Sequence, residues 1–258
     1  MAISIDKVYQ KVLALANKEQ RGYITPQEFN LFADQAQQDI FNQYFYDLER
    51  YSRGRDNGVD YANKLTNLES KVSVFEVFDE EVAISESGEV ALQPLDVYKL
   101  GVVTIKYVNK PRAKEAERLS AKELNLYKNG RLTNESSLAG PYYVEHYSPI
   151  QKHHLMTIWP NKDTYAGLSS SPYAAGDSDT VKINYIKNPI SPQWTYSIVG
   201  TNALYDPSLQ NFRNFQLHVS EESLLVSKIL QLAGVSIKDY QLTQAAVQEE
   251  IKSKQEKQ

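Results

Sequence analysis

Cysteine is absent from the 258-residue chain, which excludes disulfides, thiolate nucleophiles and cysteine-ligated metals. Histidine is scarce, with four copies at positions 146, 153, 154 and 218. The neighbours His153 and His154 point to opposite faces of a strand, so they do not chelate one ion. His146 and His218 have no Asp or Glu at a ligand-like spacing. No apolar run approaches the ~18 residues of a membrane span. There is no G-x-G-x-x-G, no Walker loop and no G-x-S-x-G elbow. The carboxylate pairs Glu80-Glu81, Glu221-Glu222 and Glu249-Glu250 are sequence neighbours, not an opposed acid and base. These absences predict a chain that is not an enzyme, uses no cofactor and no metal, and does not enter a membrane.

Charge of one sign is also in short supply. The formal net charge is −4 and the pI about 5.7, which gives no general attraction to nucleic acid or anionic lipid. The densest basic point, Arg50, Arg53 and Arg55, lies beside Asp47, Glu49 and Asp56 and reads as a solvated, ion-paired helix end. Met-Ala-Ile-Ser-Ile-Asp lacks the basic flank and apolar centre of a secretory signal, which predicts synthesis in the cytoplasm.

Tyrosine is abundant, with 18 copies against 8 phenylalanines. Its apolar ring and polar tip suit wet interfaces, and equally a strand-rich domain. Residues 17–29 have a spacing close to that of a calcium-binding helix–loop–helix, with Gly22 at the turn and Glu28 at the twelfth position. Arg21 stands where the fifth ligand belongs, and Asn17 replaces the acidic first ligand. The same residues make a capped corner instead. Gly22 ends one helix, Thr25 caps the next, Pro26 takes its first position, and Glu28 completes a capping box.

The periodicity runs helix, strand, helix. Ile5, Val8, Tyr9, Val12, Leu15 and Ala16 form one helical stripe, and Phe29, Phe32, Ala33, Ala36, Ile40 and Tyr44 form a second. Gln35, Gln37, Gln38 and Asn42 give the second helix an uncharged polar face, suited to solvent or to a neighbouring subunit. Gly54 and Gly58 break the pattern before a short helix near 59–69. From Lys71 the period becomes two. Strands are expected around 72–78, 103–107, 141–147, 154–159 and 180–187. Residues 111–135 form a charged, weakly helical excursion, and the Ser/Gly/Ala/Pro-rich stretch 166–179 a loop. After Pro189 the chain reads as irregular to about Val219. Ser220 then caps a Leu-rich helix ended by Gly234, and a last helix starts near Ile237. The expected fold is α+β: N- and C-terminal helices forming a helical bundle (1–69 and 191–258, the latter with a polar tail), with an inserted antiparallel β domain (70–190).

The order of these segments resembles the head–tail connector (adaptor) ring proteins of tailed bacteriophages, particularly those of short-tailed, crAss-like and marine phages. Four stretches carry the resemblance, and together they span most of the chain. They are Gly22-Tyr-Ile-Thr-Pro-Gln-Glu-Phe29 between two helices; Val102 to Tyr107 with the charged excursion; Pro141-Tyr-Tyr143 with Met156-Thr-Ile-Trp-Pro160, Val181-Lys-Ile-Asn-Tyr185 and Asn188-Pro189; and Phe215 to Glu222 opening the Leu-rich helix. The resemblance implies a virion protein at the head–tail junction. It would form a homo-oligomeric ring, commonly a dodecamer, below the portal protein and dock the next tail or ring protein. Genomic DNA would pass through its channel without specific binding. Tyr240, Val247 and Ile251, in the last helix, are then the expected portal or subunit interface. Alternatives from the same residues are another tail ring, a receptor-binding tail protein, or the calcium module.

Overall fold

The computed structural model describes residues 3–18, 24–53, 59–85, 87–107, 112–129, 141–149, 153–159, 179–200, 202–236, 247–249 and 251–252. Gly22, Gly54, Arg55, Gly58, Tyr240, the loop 166–178 and the start expected for the last helix lie outside them. The chain divides into two compact units, Met1–Phe75 with Pro189–Gln258, and Glu76–Asn188.

In the first unit, α1 (Ile5–Lys18) and α2 (Pro26–Arg53) follow the expected stripes, except that Leu15 of α1 is exposed. Ile5, Val8, Val12, Phe29, Ala33, Ala36 and Ile40 are all fully buried. Thr25 and Glu28 close the box: the Thr25 N–H and hydroxyl donate to Glu28 Oε2 (3.0 and 2.8 Å), and the Glu28 N–H donates to Thr25 Oγ1 (3.3 Å). That hydrogen bonding holds the Glu28 carboxyl below the usual carboxylate range. α3 (Val59–Val72) runs further than expected and passes through a tight turn at Ser73–Phe75, so the strand does not begin at Lys71. α5 (Glu222–Ser236) is buried on several sides through Leu224, Leu225, Val226, Ile229 and Leu230.

Two terminal signals read differently in space. His218, not Ser220, caps the turn before α5, accepting at Nδ1 from the Ser220 N–H (3.3 Å). Gly234 does not stop the helix, which continues to Ser236. Glu221, in the turn before α5, is buried and pairs with Lys71 at 2.7 Å.

The second unit carries a seven-stranded curled sheet. Its strands are β1 (Glu76–Val82), β2 (Glu89–Ala91), β3 (Val97–Lys106), β4 (Lys114–Arg118), β5 (Tyr142–Ser148), β6 (His153–Trp159) and β7 (Thr180–Lys187), in the order β1-β7-β3-β4-β5-β6-β2. Val103, Ile105, Met156, Ile158, Val181 and Ile183 alternate inward and make its core. A short helix, α4 (Ala121–Asn129), follows β4. A second capping box starts it, with the Ser120 N–H donating to Glu123 Oε2 (2.8 Å) and the Glu123 N–H to Ser120 Oγ (3.3 Å).

This architecture corrects the expected helical bundle with an inserted antiparallel β domain. The protein is a mixed α/β chain dominated by its sheet. The sheet is not antiparallel throughout, because β4 and β5 pair in parallel, Glu117 opposite Tyr142 and Arg118 opposite Tyr143. The charged excursion is not outside it either: β4 sits mid-sheet between β3 and β5. Its sequence Lys-Glu-Ala-Glu-Arg turns only Ala116 inward, so charge concealed a strand whose alternation carries a single apolar residue. Nor is the first unit built of helices alone, since extended segments and a hairpin complete it.

Candidate interaction surfaces

Four amide side chains organise the first unit. Asn30 on α2 accepts from the Trp194 N–H (2.8 Å) and donates to the Trp194 carbonyl (3.1 Å). Fully buried Gln37 donates to the Ile190 carbonyl and accepts from the Gln216 N–H, both at 2.9 Å. Gln216 returns the favour to Ile190, whose N–H donates to Gln216 Oε1 (2.9 Å). Asn214 accepts from the Ile5 N–H (3.0 Å). An extended segment inside a fold must have its backbone groups satisfied. Here α2 supplies those partners from amides that each offer both a donor and an acceptor.

This seam places Trp194, buried at 3% exposure. Its indole N–H donates to Asp6 Oδ1 (3.0 Å), and its ring lies 4.5 Å from Tyr9. It stacks on Tyr196 (5.6 Å) and Tyr205 (5.9 Å). Those two tyrosines face each other at the root of a hairpin made of β8 (Tyr196–Val199) and β9 (Asn202–Tyr205). The Val199–Asn202 pairing leaves a two-residue loop whose first residue, Gly200, has φ 67°. A primed hairpin turn requires that conformation, and glycine adopts it without steric cost. An isolated two-stranded hairpin is marginal in water. This one is held by its aromatic root and by the Asp206 N–H donating to the Thr195 carbonyl (3.0 Å).

Beyond the root the hairpin is exposed. Ile198 is 73% exposed, Val199 60% and Leu204 51%. No residue from 196 to 205 carries a charge. An open groove of about 550 Å³ beside the root is lined by Gln27, Asn30, Trp194, Tyr196, Leu209 and other uncharged residues. Along α2, the positions Gln27, Leu31, Gln35, Gln38, Asn42 and Tyr46 recur every three or four residues and are likewise uncharged. Leu31 is 71% exposed and Tyr46 66%.

The second unit presents a different surface. Opposite Asn184 of β7, the pairing slips on both sides at once. Phe78 and Asp79 bulge from β1, and Gly101 and Val102 bulge from β3. Asp79 takes φ 53°, and its N–H donates to Asn184 Oδ1 (2.9 Å). A Cβ on Gly101 would lie 3.0 Å from the Asn184 carbonyl oxygen, so glycine permits this approach. Bulges re-aim side chains, and here Phe78 and Val102 are turned out to 67% and 41% exposure. Charged residues surround them, including Glu76, Glu80, Glu81 and Lys182, the last two paired at 3.2 Å.

A smaller cavity of about 380 Å³ in this unit is lined by Asp96, Tyr98, Glu145, Tyr147 and His154 among others. Arg118 Nε approaches Glu145 at 3.1 Å, and Tyr147 meets His154 edge-on at 5.4 Å. The Tyr143 phenol is pushed up from its ordinary range by burial and then by Glu145. Among the described residues, no cluster of three or more His, Asp or Glu side chains is placed to hold a metal.

Of the residues expected to matter, Thr25 and Glu28 meet across the α2 N-terminus, while Val247 is half-buried and Ile251 is 48% exposed. Gly22 and Tyr240 lie outside the described residues. Sequence reasoning missed the hairpin and both bulges. The hairpin did leave a signal: Tyr-Ser-Ile-Val and Asn-Ala-Leu-Tyr separated by Gly-Thr. No protein-family model matches this chain, and no curated protein matches it.

Proposed function

We propose that this chain is a structural virion protein of a tailed bacteriophage, a head–tail connector or adaptor ring below the portal. In this role it assembles with copies of itself and extends the DNA channel. It docks the portal on one side and the next tail or ring protein on the other. DNA passes without specific binding, and the role requires no catalytic step. The reading starts from the resemblance of the segment order. The observation that carries it further is the pairing of an exposed, uncharged hairpin with an uncharged α2 stripe on one unit. Rings form through heterologous contacts between two different faces of one subunit, and such a chain needs two faces that shed water readily. Light scattering after size exclusion, with and without the portal protein of the same phage, tests it. A large symmetric species is expected. An unchanging monomer in both arms overturns the reading.

A second reading, a receptor-binding tail protein, is favoured by the amide- and aromatic-lined groove beside Trp194. Neutral sugars are recognised by such groups. Binding on a glycan array supports this reading, and silence there removes it.

A further inference from the structure

We infer that the β8–β9 hairpin is the arm by which one copy of this chain grips the next, lying on the uncharged α2 stripe of its neighbour. The inference rests on the ring reading and supplies its contact. It begins with the two faces of the hairpin. Strand alternation puts Ile198 with Tyr196 on one face, and Val199 with Leu204 on the other. The tyrosines of the first face are used at the root, against Trp194. Folding back on its own unit would cover one face at most, so the face of Val199 and Leu204 requires a second molecule.

The edges make the same demand. β8 and β9 pair only with each other among the described residues, so each has an unpaired outer edge. Folded proteins blunt such edges with charge, proline or bulges. The protein does so at β1, the sheet edge of the other unit, with Glu76, Asp79, Glu80, Glu81 and a bulge. The hairpin has none of these between 196 and 205. A surface left open in the same chain that guards its other edge is one that gets covered.

Charge identifies the cover. A strongly acidic or basic partner would meet no counter-charge on the hairpin, and burying its charges there would be unfavourable. The residues of the α2 stripe are themselves uncharged, although solvated helix faces are normally charged, and Asp39 borders the stripe, accepting from the Gln35 amide at 2.8 Å. From Gln27 to Tyr46 the stripe runs about 28 Å, longer than the about 13 Å of a four-residue strand. The hairpin therefore has room to lie along it, with the face of Val199 and Leu204 against the stripe's exposed side chains. Hairpin and stripe are different surfaces of one unit, so their contact is head-to-tail, the kind that yields a ring where its rotation closes.

The cysteine-free sequence makes the test clean, because any thiol cross-link must come from introduced residues. Full-length chain carrying both Val199→Cys and Gln38→Cys is treated with a short bis-maleimide under conditions in which the wild type is oligomeric by light scattering. A ladder of covalent trimers and larger species is expected from the double variant, while either single variant stops at dimers. In parallel, Val199→Asp with Leu204→Asp is expected to raise the concentration for half-assembly at least tenfold with an unchanged melting temperature. If the wild type is oligomeric but the ladder is missing and the Asp variant assembles normally, the hairpin contact is wrong and the ring reading stands. If the wild type is a monomer at every concentration, with and without portal, both are overturned.

Discussion

The two units treat buried polarity and exposed surface in opposite ways. In the first, amide side chains reach into the interior to hold extended backbone: Asn30 on Trp194, and Gln37 on Ile190 and Gln216. Its exposed hairpin and helix stripe are uncharged. In the second, the interior is almost purely apolar, with Val103, Ile105, Ile158, Val181 and Ile183 closing the sheet. Its outer surface is charged, and two of its apolar projections, Phe78 and Val102, come from bulges. Polar satisfaction specifies the first unit, and packing specifies the second. A buried hydrogen-bond network has one arrangement in which every group is paired, whereas an apolar core tolerates substitutions that preserve volume.

That contrast sets the order of expected damage. Lys71→Met removes the 2.7 Å ion pair to buried Glu221, and loss of about 3 kcal/mol is expected in urea unfolding. Hydrogen exchange should show the lost protection in residues 3–75 and 189–236. Equal loss across β3 and β7 would break the comparison by showing that the units unfold together. Gln37→Leu keeps volume but strands the Ile190 carbonyl and the Gln216 N–H, for about 2–3 kcal/mol. If it is neutral, the amide seam is not what specifies the first unit.

In the sheet the sensitive point is steric. Gly101→Ala drives a methyl against the Asn184 carbonyl, and about 1–3 kcal/mol is expected, readable in a thermal melt. Thr25→Ala opens the capping box at α2 and should cost about 1 kcal/mol, with no response to calcium in either form by calorimetric titration.

Acid should reach the first unit through Glu222. Hydrogen bonding from Lys11, then Lys7, holds its carboxyl below the usual glutamate range in spite of partial burial. A lowered folded-state value means the stabilisation is complete above the ordinary glutamate pKa and is lost as pH falls through the lowered one. Melting temperature should therefore decline at the acid end of that window, and less steeply in Glu222→Gln.

Much of this was readable beforehand where one residue carries one local rule. The stripes of α1, α2 and α5, the Thr25–Glu28 box and the alternation of Val181, Ile183 and Tyr185 depend only on neighbours along the chain. β4 was hidden because Lys-Glu-Ala-Glu-Arg has one inward residue to reveal its period. Gln37 looked like part of an uncharged polar face with Gln35 and Gln38, suited to solvent or to a neighbouring subunit. Its partners lie 153 and 179 residues away in sequence, beyond any local signal. The aligned bulges were equally invisible, since a bulge is a mismatch between two strands and belongs to neither alone.

The sequence by itself determined the helices, most strands, the caps, the charge and the absence of thiol chemistry, because each follows from composition or short-range spacing. Only the tertiary structure decided that Glu221 is buried with Lys71, that β4 lies mid-sheet, and that Ile198, Val199 and Leu204 are left in the open. Burial and exposure depend on what the rest of the chain brings alongside, and that is settled by packing across long sequence separations.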